Sequence, residues 1–195
     1  MALLKAKTEQ AHKETEAFSY GDLIMSGRLQ LSHYKDIIVK NYQLHLAVEP
    51  ALAELPELDE LFEGQLSKRF KCESLLNDLN KIDPNTSELS SVELPFRLQT
   101  VPQALGAMYV LEGSSLGGAV IKRALEKIPA IAEKNAFNFY GFYGSELGNM
   151  WKLFSEKVEG FIRNEEDQNQ IVQYAILTFS FTKNIFSQPL EIAQL

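Results

Sequence analysis

Residues 109–121, YVLEGSSLGGAVI, decide how this chain is read. They fall inside a longer helical pattern, from about Gln103 to Glu126, and put Gly113, Gly117 and Gly118 in its interior. Glycine in a helix interior costs about 1 kcal/mol relative to alanine, so ~2–3 kcal/mol is given up for the absence of side chains there. Something must approach that backbone closely: another helix, a tight bend of chain, or a flat ligand. Small residues four apart, as at Gly113 and Gly117, suit helix packing. Glu112 interrupts the apolar run, and Lys122 and Arg123 follow it, which excludes the membrane version of that motif. The ligand reading needs a second element elsewhere in the chain.

Working outward, the 195 residues are 45% hydrophobic and 23% charged, the make-up of one ordinary domain with a sizeable core. A single domain over 1–195 is the expectation. A net charge of −7 argues against a nucleic-acid surface, which needs clustered Lys and Arg. The single cysteine, Cys72, leaves no internal disulfide and no Cys-rich zinc or iron–sulfur site, and fits a reducing cytoplasm. No hydrophobic run reaches the roughly 18–20 residues of a bilayer span, and MALLKAKTEQ lacks the apolar core of a signal peptide. A cytoplasmic protein without a membrane partner is expected.

The remaining elements read as helices, so the expected fold class is all-α. Ala2 to Ala17 is the first, with Lys5, Thr8, His12 and Glu16 on one polar stripe and Leu3, Leu4 and Ala11 beside it. Taken alone, His12 reads as an ordinary surface histidine. Gly21 to Gly27 reads as a break, and Ser32 as the N-cap of a helix to about Leu55 that buries Tyr34, Ile37, Ile38, Leu44 and Val48. His33 and His45 read as structural. Pro56 to Gly64 is an acidic connector, followed by a helix through SKRFKCESLLNDL in which Cys72 is an incidental thiol. Asp83 to Pro95 is a loop, and Pro102 fits the first turn of the glycine helix. A helix starts near Ser145, residues 164–169 break the chain, and a last helix runs from about Gln170 to Ser187. A dinuclear iron site wants Glu-x-x-His pairs on two facing helices. Such paired motifs are not found, and the carboxylates Glu49 and Glu112, isolated in apolar helices, lack a histidine three residues on.

Four stretches keep one order and spacing: LLKAKTEQAHKETE (3–16), GRLQLSHYKDIIVKNYQLHLAVEPAL (27–52), YVLEGSSLGGAVI (109–121) and FYGSELGNMWKLF (142–154). Together, from Leu3 to Phe186, they resemble the bacterial heme oxygenases of the biliverdin-producing kind. The resemblance implies a single-domain multi-helical fold with heme held between the first helix and the glycine helix. It puts His12 at the proximal iron-ligand position, within a Thr-x3-His-x3-Glu pattern. Glu16 would orient the ring from its other nitrogen, and Lys5 would pair with a propionate. It also implies heme contacts for Tyr109, Ser115 and Gly118, and an oxygen space shaped by Gly113, Ser114 and Gly117.

The implied activity is O2-dependent cleavage of heme, which is cofactor and substrate together, to biliverdin, iron and carbon monoxide. Electrons would come from an external ferredoxin- or flavoprotein-type donor. The alternative is a heme-binding or sensory protein of the same fold without turnover. Two departures stand out. Where the animal-type distal helix has Asp after its first glycine, this chain has Ser114 and Ser115, as bacterial members do; each serine either holds a water or bonds back to the helix. Gly144, Ser145 and Glu146 offer no basic group for a propionate, which leaves Lys122, Arg123 and Lys152 as substitutes.

Overall fold

The computed structural model describes residues 1–84 and 90–189 and contains no strand among them. Its long helices are α1 (Ala2–Glu16), α3 (Leu31–Ala53), α5 (Cys72–Ile82), α6 (Val101–Leu125), α8 (Leu147–Phe161) and α9 (Glu165–Ser187). Short helices α2 (Gly21–Met25), α4 (Pro56–Leu61) and α7 (Pro129–Ala132) join them, with single 3-10 turns at Leu66–Arg69 and Gly144–Glu146. The all-α expectation holds. Of the loop expected over Asp83 to Pro95, residues 85–89 lie outside the described residues, and the others form no helix.

Several boundaries differ from the sequence reading: Gln30 and not Ser32 caps α3, the expected connector Pro56–Gly64 contains α4, and the helix expected through SKRFKCESLLNDL divides into a 3-10 turn and α5. The stretch expected as a break forms α2, because Leu23 and Ile24 have an apolar cluster to enter and Ile24 is buried there. Helix α9 begins five residues earlier than expected. Asn164 caps it by accepting from the Asp167 N–H at 2.9 Å, and Glu165, Glu166 and Asp167 complement the helix dipole in the first turn. At the start of α3, His33 Nδ1 accepts from the Gln30 N–H at 3.3 Å, so this histidine serves the cap.

Apolar side chains gather into two clusters. One joins α1, the C-terminal half of α3, the N-terminal half of α6, α8 and α9 around Val48, Leu105, Phe154 and Ala175. The other joins α2, the start of α3, α5 and α7 around Tyr34, Leu75, Leu125 and Ile131. Helix α9 packs against both α1 and α6. Helix α6 is long and apolar enough, by length and composition, to cross a bilayer, which the run-length reading did not anticipate. Half of its most apolar window is buried within the fold, where Glu112 has cationic partners from other elements.

Candidate functional site

On α1 the predicted stripe divides. Thr8 turns inward, is buried, and donates its hydroxyl to the Leu4 carbonyl at 2.8 Å, so it is part of the helix support. Lys5, His12 and Glu16 stay exposed. The His12 side chain is 55% exposed, with Nδ1 3.4 Å from Glu16 Oε2. One face of the imidazole is closed by Phe179 of α9, an edge-to-face contact with centroids 5.5 Å apart and planes at 87°. The imidazole is thus exposed, with Glu16 on its Nδ1 side and Phe179 packed against it.

The glycines of α6 separate by what lies over them. A Cβ on Gly117 would meet nothing nearer than Ile121 of its own helix, at 3.8 Å, and one on Gly113 only the Trp151 ring edge at 4.0 Å. No backbone of another helix approaches either of them, and the one side chain from another helix is the Trp151 ring of α8 over Gly113. Gly106, which the sequence reading passed over, does serve helix packing: its Cβ would lie 2.4 Å from the Ile171 carbonyl oxygen and 2.9 Å from the Ala175 nitrogen. Gly118 is also filled, with the Tyr140 carbonyl oxygen 3.0 Å from its Cβ position. At 100° per residue, Gly113, Leu116, Gly117 and Val120 share one face of α6, and Ser115, Gly118 and Lys122 the opposite one. Leu116 and Val120 are 44% and 54% exposed, so the face of the two open glycines carries an uncovered apolar surface. Tyr109 begins that face, its ring 6.1 Å from Trp151 and 6.4 Å from Phe179. Phe179 thus touches both His12 and Tyr109, which brings the two sequence-predicted walls to one end of the bundle.

Ser115 and Gly118 are not brought to that face. Ser115 lines a cavity of about 250 Å³ between α6 and residues 139–144. A second, polar cavity of about 450 Å³ with Ser74, Lys81 and Asn138 adjoins it across Lys122. Lys122 lies over Gly141, its Nζ 3.3 Å from where a Cβ would be. The Ser114 hydroxyl donates to the Leu111 carbonyl at 2.7 Å, so of its two readings the bond back to the helix is the one adopted.

Behind the glycine face, the two carboxylates read as isolated are both saturated. Glu112 accepts from Arg69 at 2.6 Å, from Lys71 at 2.9 Å, and from the Tyr143 hydroxyl at 2.8 and 2.9 Å. All of these are buried except Tyr143, which is partly so. Lys71 also sits against the rings of Phe142 and Tyr143. Glu49 accepts from the backbone N–H groups of Lys71 and Cys72, at 2.5 and 3.3 Å, and contacts His45 Nδ1 at 2.7 Å. Burial opposes ionisation of Glu49, but these donors outweigh it and hold the carboxyl below its ordinary range. Burial lowers the His45 pKa, so the imidazole is neutral near pH 7 and donates from Nδ1. Its Nε2 has no hydrogen-bond partner among the described residues. Burial and the neighbouring Glu49 push the Cys72 thiol far up, which leaves it unreactive.

Sequence reasoning missed this network because it assigned no partner to Glu49 or Glu112 and gave Arg69 and Lys71 no role. The signal was available: two acids on apolar helices each require a buried cation or several N–H groups. No cluster of three metal-ligating side chains occurs among the described residues. One Glu-x-x-His spacing, Glu9 to His12, is present although the sequence reading passed over it, and its Glu9 is held by Lys13 at 2.6 Å. Among the described residues a dinuclear site lacks its ligand set, whereas the exposed His12 and the Tyr109 end of the uncovered α6 face both border the Phe179 ring.

A family model described as heme oxygenase matches residues 1–188. No curated protein sequence matches significantly. Among solved structures, the heme oxygenase of Leptospira interrogans superposes with a TM-score of 0.75 at 16% identity, covering 95% of this chain and 97% of that one. Heme oxygenase-1 of the cyanobacterium Synechocystis, solved in complex with heme, gives 0.75 at 15% identity, covering 95% and 89%. The NO- and CO-bound heme oxygenase of Neisseria meningitidis gives 0.72 at 18% identity, covering 100% and 97%.

Proposed function

We propose that this chain, which belongs to the heme oxygenase family, binds heme between α1 and the Gly113–Gly117 face of α6 and opens it oxidatively to biliverdin, iron and carbon monoxide. The observation that carries the reading is the contrast among the glycines. Gly106 and Gly118 are closed off by backbone of other parts of the protein, whereas a Cβ on Gly113 or Gly117 would meet only one side chain, at ordinary contact distance, and a flat ligand accounts for the room left there. Heme, when bound, supplies the redox-active iron and is itself the substrate.

The chain's own residues divide the remaining work. His12 would hold the iron through Nε2, while Glu16 beside Nδ1 would orient the ring. Lys5, two turns earlier on α1, pairs with a propionate. Gly113 and Gly117 would leave room for a small diatomic beside the heme, and Leu116 and Val120 would offer it apolar surface. Glu112 is fully engaged and Ser114 is bonded back, so proton delivery falls to ordered water. Electrons come from an external ferredoxin- or flavoprotein-type donor in the cytoplasm.

The test is a heme titration of the purified protein, followed by reductant in air while the visible spectrum is watched. Replacement of the Soret band by a broad red absorbance is expected. Binding with a stable spectrum would favour a heme sensor or carrier, and no binding would overturn the site. His12→Ala should lose the axial nitrogen ligand and most turnover, and Gly117→Leu should exclude oxygen; unchanged spectra and turnover in both would refute the assignment.

A further inference from the structure

The direction in which His12 points is not fixed by α1 alone. The helix carries His12 on an exposed face, where the χ angles of an imidazole are ordinarily free to change. Two contacts from α9 remove that freedom. Phe179, itself only 6% exposed, meets the imidazole edge to face. One turn further along α1, the Thr15 hydroxyl lies 2.9 Å from the Ala11 carbonyl and 3.2 Å from the Phe179 carbonyl. That second contact ties α1 to α9 at the very residue whose ring touches His12. It sets the rotation of α1 about its axis.

We infer that Phe179 and Thr15 are positioning residues for His12: Thr15 holds the rotation of α1 through the Phe179 carbonyl, and the Phe179 ring acts as a stop behind the imidazole so that Nε2 faces outward. The inference rests on the reading of His12 as the heme ligand. Glu16 reaches the ring from the Nδ1 side at 3.4 Å and Phe179 closes another side, while Nε2 has no hydrogen-bond partner among the described residues. Because Phe179 also touches Tyr109, the ring that orients the proximal histidine is anchored against α6 and does not follow α1 if that helix shifts. An edge-to-face pair of this kind contributes about enough to change an affinity two- to tenfold.

The test uses Phe179→Leu, which keeps apolar volume, and Thr15→Val, which keeps shape and loses the hydroxyl, with Thr15→Ser as the conservative control. In the heme-free protein, the His12 ring protons should show cross-relaxation to the Phe179 ring and a ring-current shift that disappears in Phe179→Leu. In the ferrous heme complex, the iron–histidine stretch read by resonance Raman should move and broaden in Phe179→Leu and Thr15→Val. Thr15→Ser should restore it, and heme affinity should fall about two- to tenfold in the first two variants. A frequency and width unchanged in both variants, or no cross-relaxation in the wild type, would overturn the proposal. Failure of the underlying reading is separate: the iron–histidine band would then persist in His12→Ala, while the heme-free spectra would still report whether Phe179 holds the ring.

Discussion

Replacing Gly117 by alanine should make the protein more stable and a poorer binder of heme. The new Cβ would lie 3.8 Å from Ile121 Cδ1, an ordinary van der Waals contact, so the folded state suffers no clash. The helix gains the propensity difference between glycine and alanine, about 1 kcal/mol. For a chain of this size that raises the melting temperature by ~2–4 °C. Gly106→Ala has the same propensity gain and the opposite outcome, because its Cβ would stand 2.4 Å from the Ile171 carbonyl oxygen and force α6 away from α9. Such overpacking costs about 1–3 kcal/mol or more, which outweighs the gain and lowers the melting temperature. The assay is a circular-dichroism melt of each heme-free variant beside a Soret titration. Gly117→Ala should melt higher and bind heme at least about tenfold more weakly, a loss of ~1.4 kcal/mol. A lowered melting temperature in Gly117→Ala would show that the glycine serves the fold. A raised one with undiminished heme binding would show that the open space is not the ligand's.

The remaining predictions concern the buried charges. Glu112→Gln leaves Arg69 and Lys71 buried beside a neutral group, which should cost about 3–5 kcal/mol and lower the melting temperature by roughly 10 °C or more; a loss under about 1 kcal/mol would mean that the pair is solvated in solution. Protonation of His45 should destabilise the fold on acidification. Burial holds its folded pKa below the ordinary 6.5, so as pH falls through that value the unfolded chain takes up the proton first and stability drops. The contribution is complete above about pH 6.5, and the depressed Glu49 adds a further loss only below its ordinary 4.5. Urea midpoints at several pH values should show this slope, and His45→Gln should flatten it between about pH 6.5 and 5; an equal slope in the variant would assign the titration to another group.

Much of this architecture was legible because its helices carry regular apolar faces. Helices α1, α3 and α6 were found to within a few residues of their ends, and so was the end of α9, while its start needed the Asn164 cap and the acidic first turn to be read as one signal. The open glycines were legible as an energetic anomaly, but what lay over each one was not. Helical arithmetic alone would have separated Ser115 and Gly118 from Gly113 and Gly117, since they fall on opposite faces. Gly106 was hidden by its apolar neighbours Leu105 and Ala107, among which a missing side chain looks unremarkable. The buried network was the hardest part. It joins side chains 41 and 43 residues apart in sequence, and nothing local distinguishes Arg69 or Lys71 from a solvated charge until Glu112 is asked for its partners.

Both walls of the proposed site take their position from α9, and this makes that helix a common datum for the gap between them. Gly106 lets α6 rest directly on the backbone of Ile171 and Ala175, and Thr15 ties α1 to the same helix two turns further on. A sideways drift of α9 within the bundle carries the two walls together and leaves their separation unchanged. Only a substitution that thickens one seam and not the other alters the width. Sequence change is then tolerated over most of the chain and filtered at two narrow seams, so a gap of fixed width can outlast the loss of most side-chain identities.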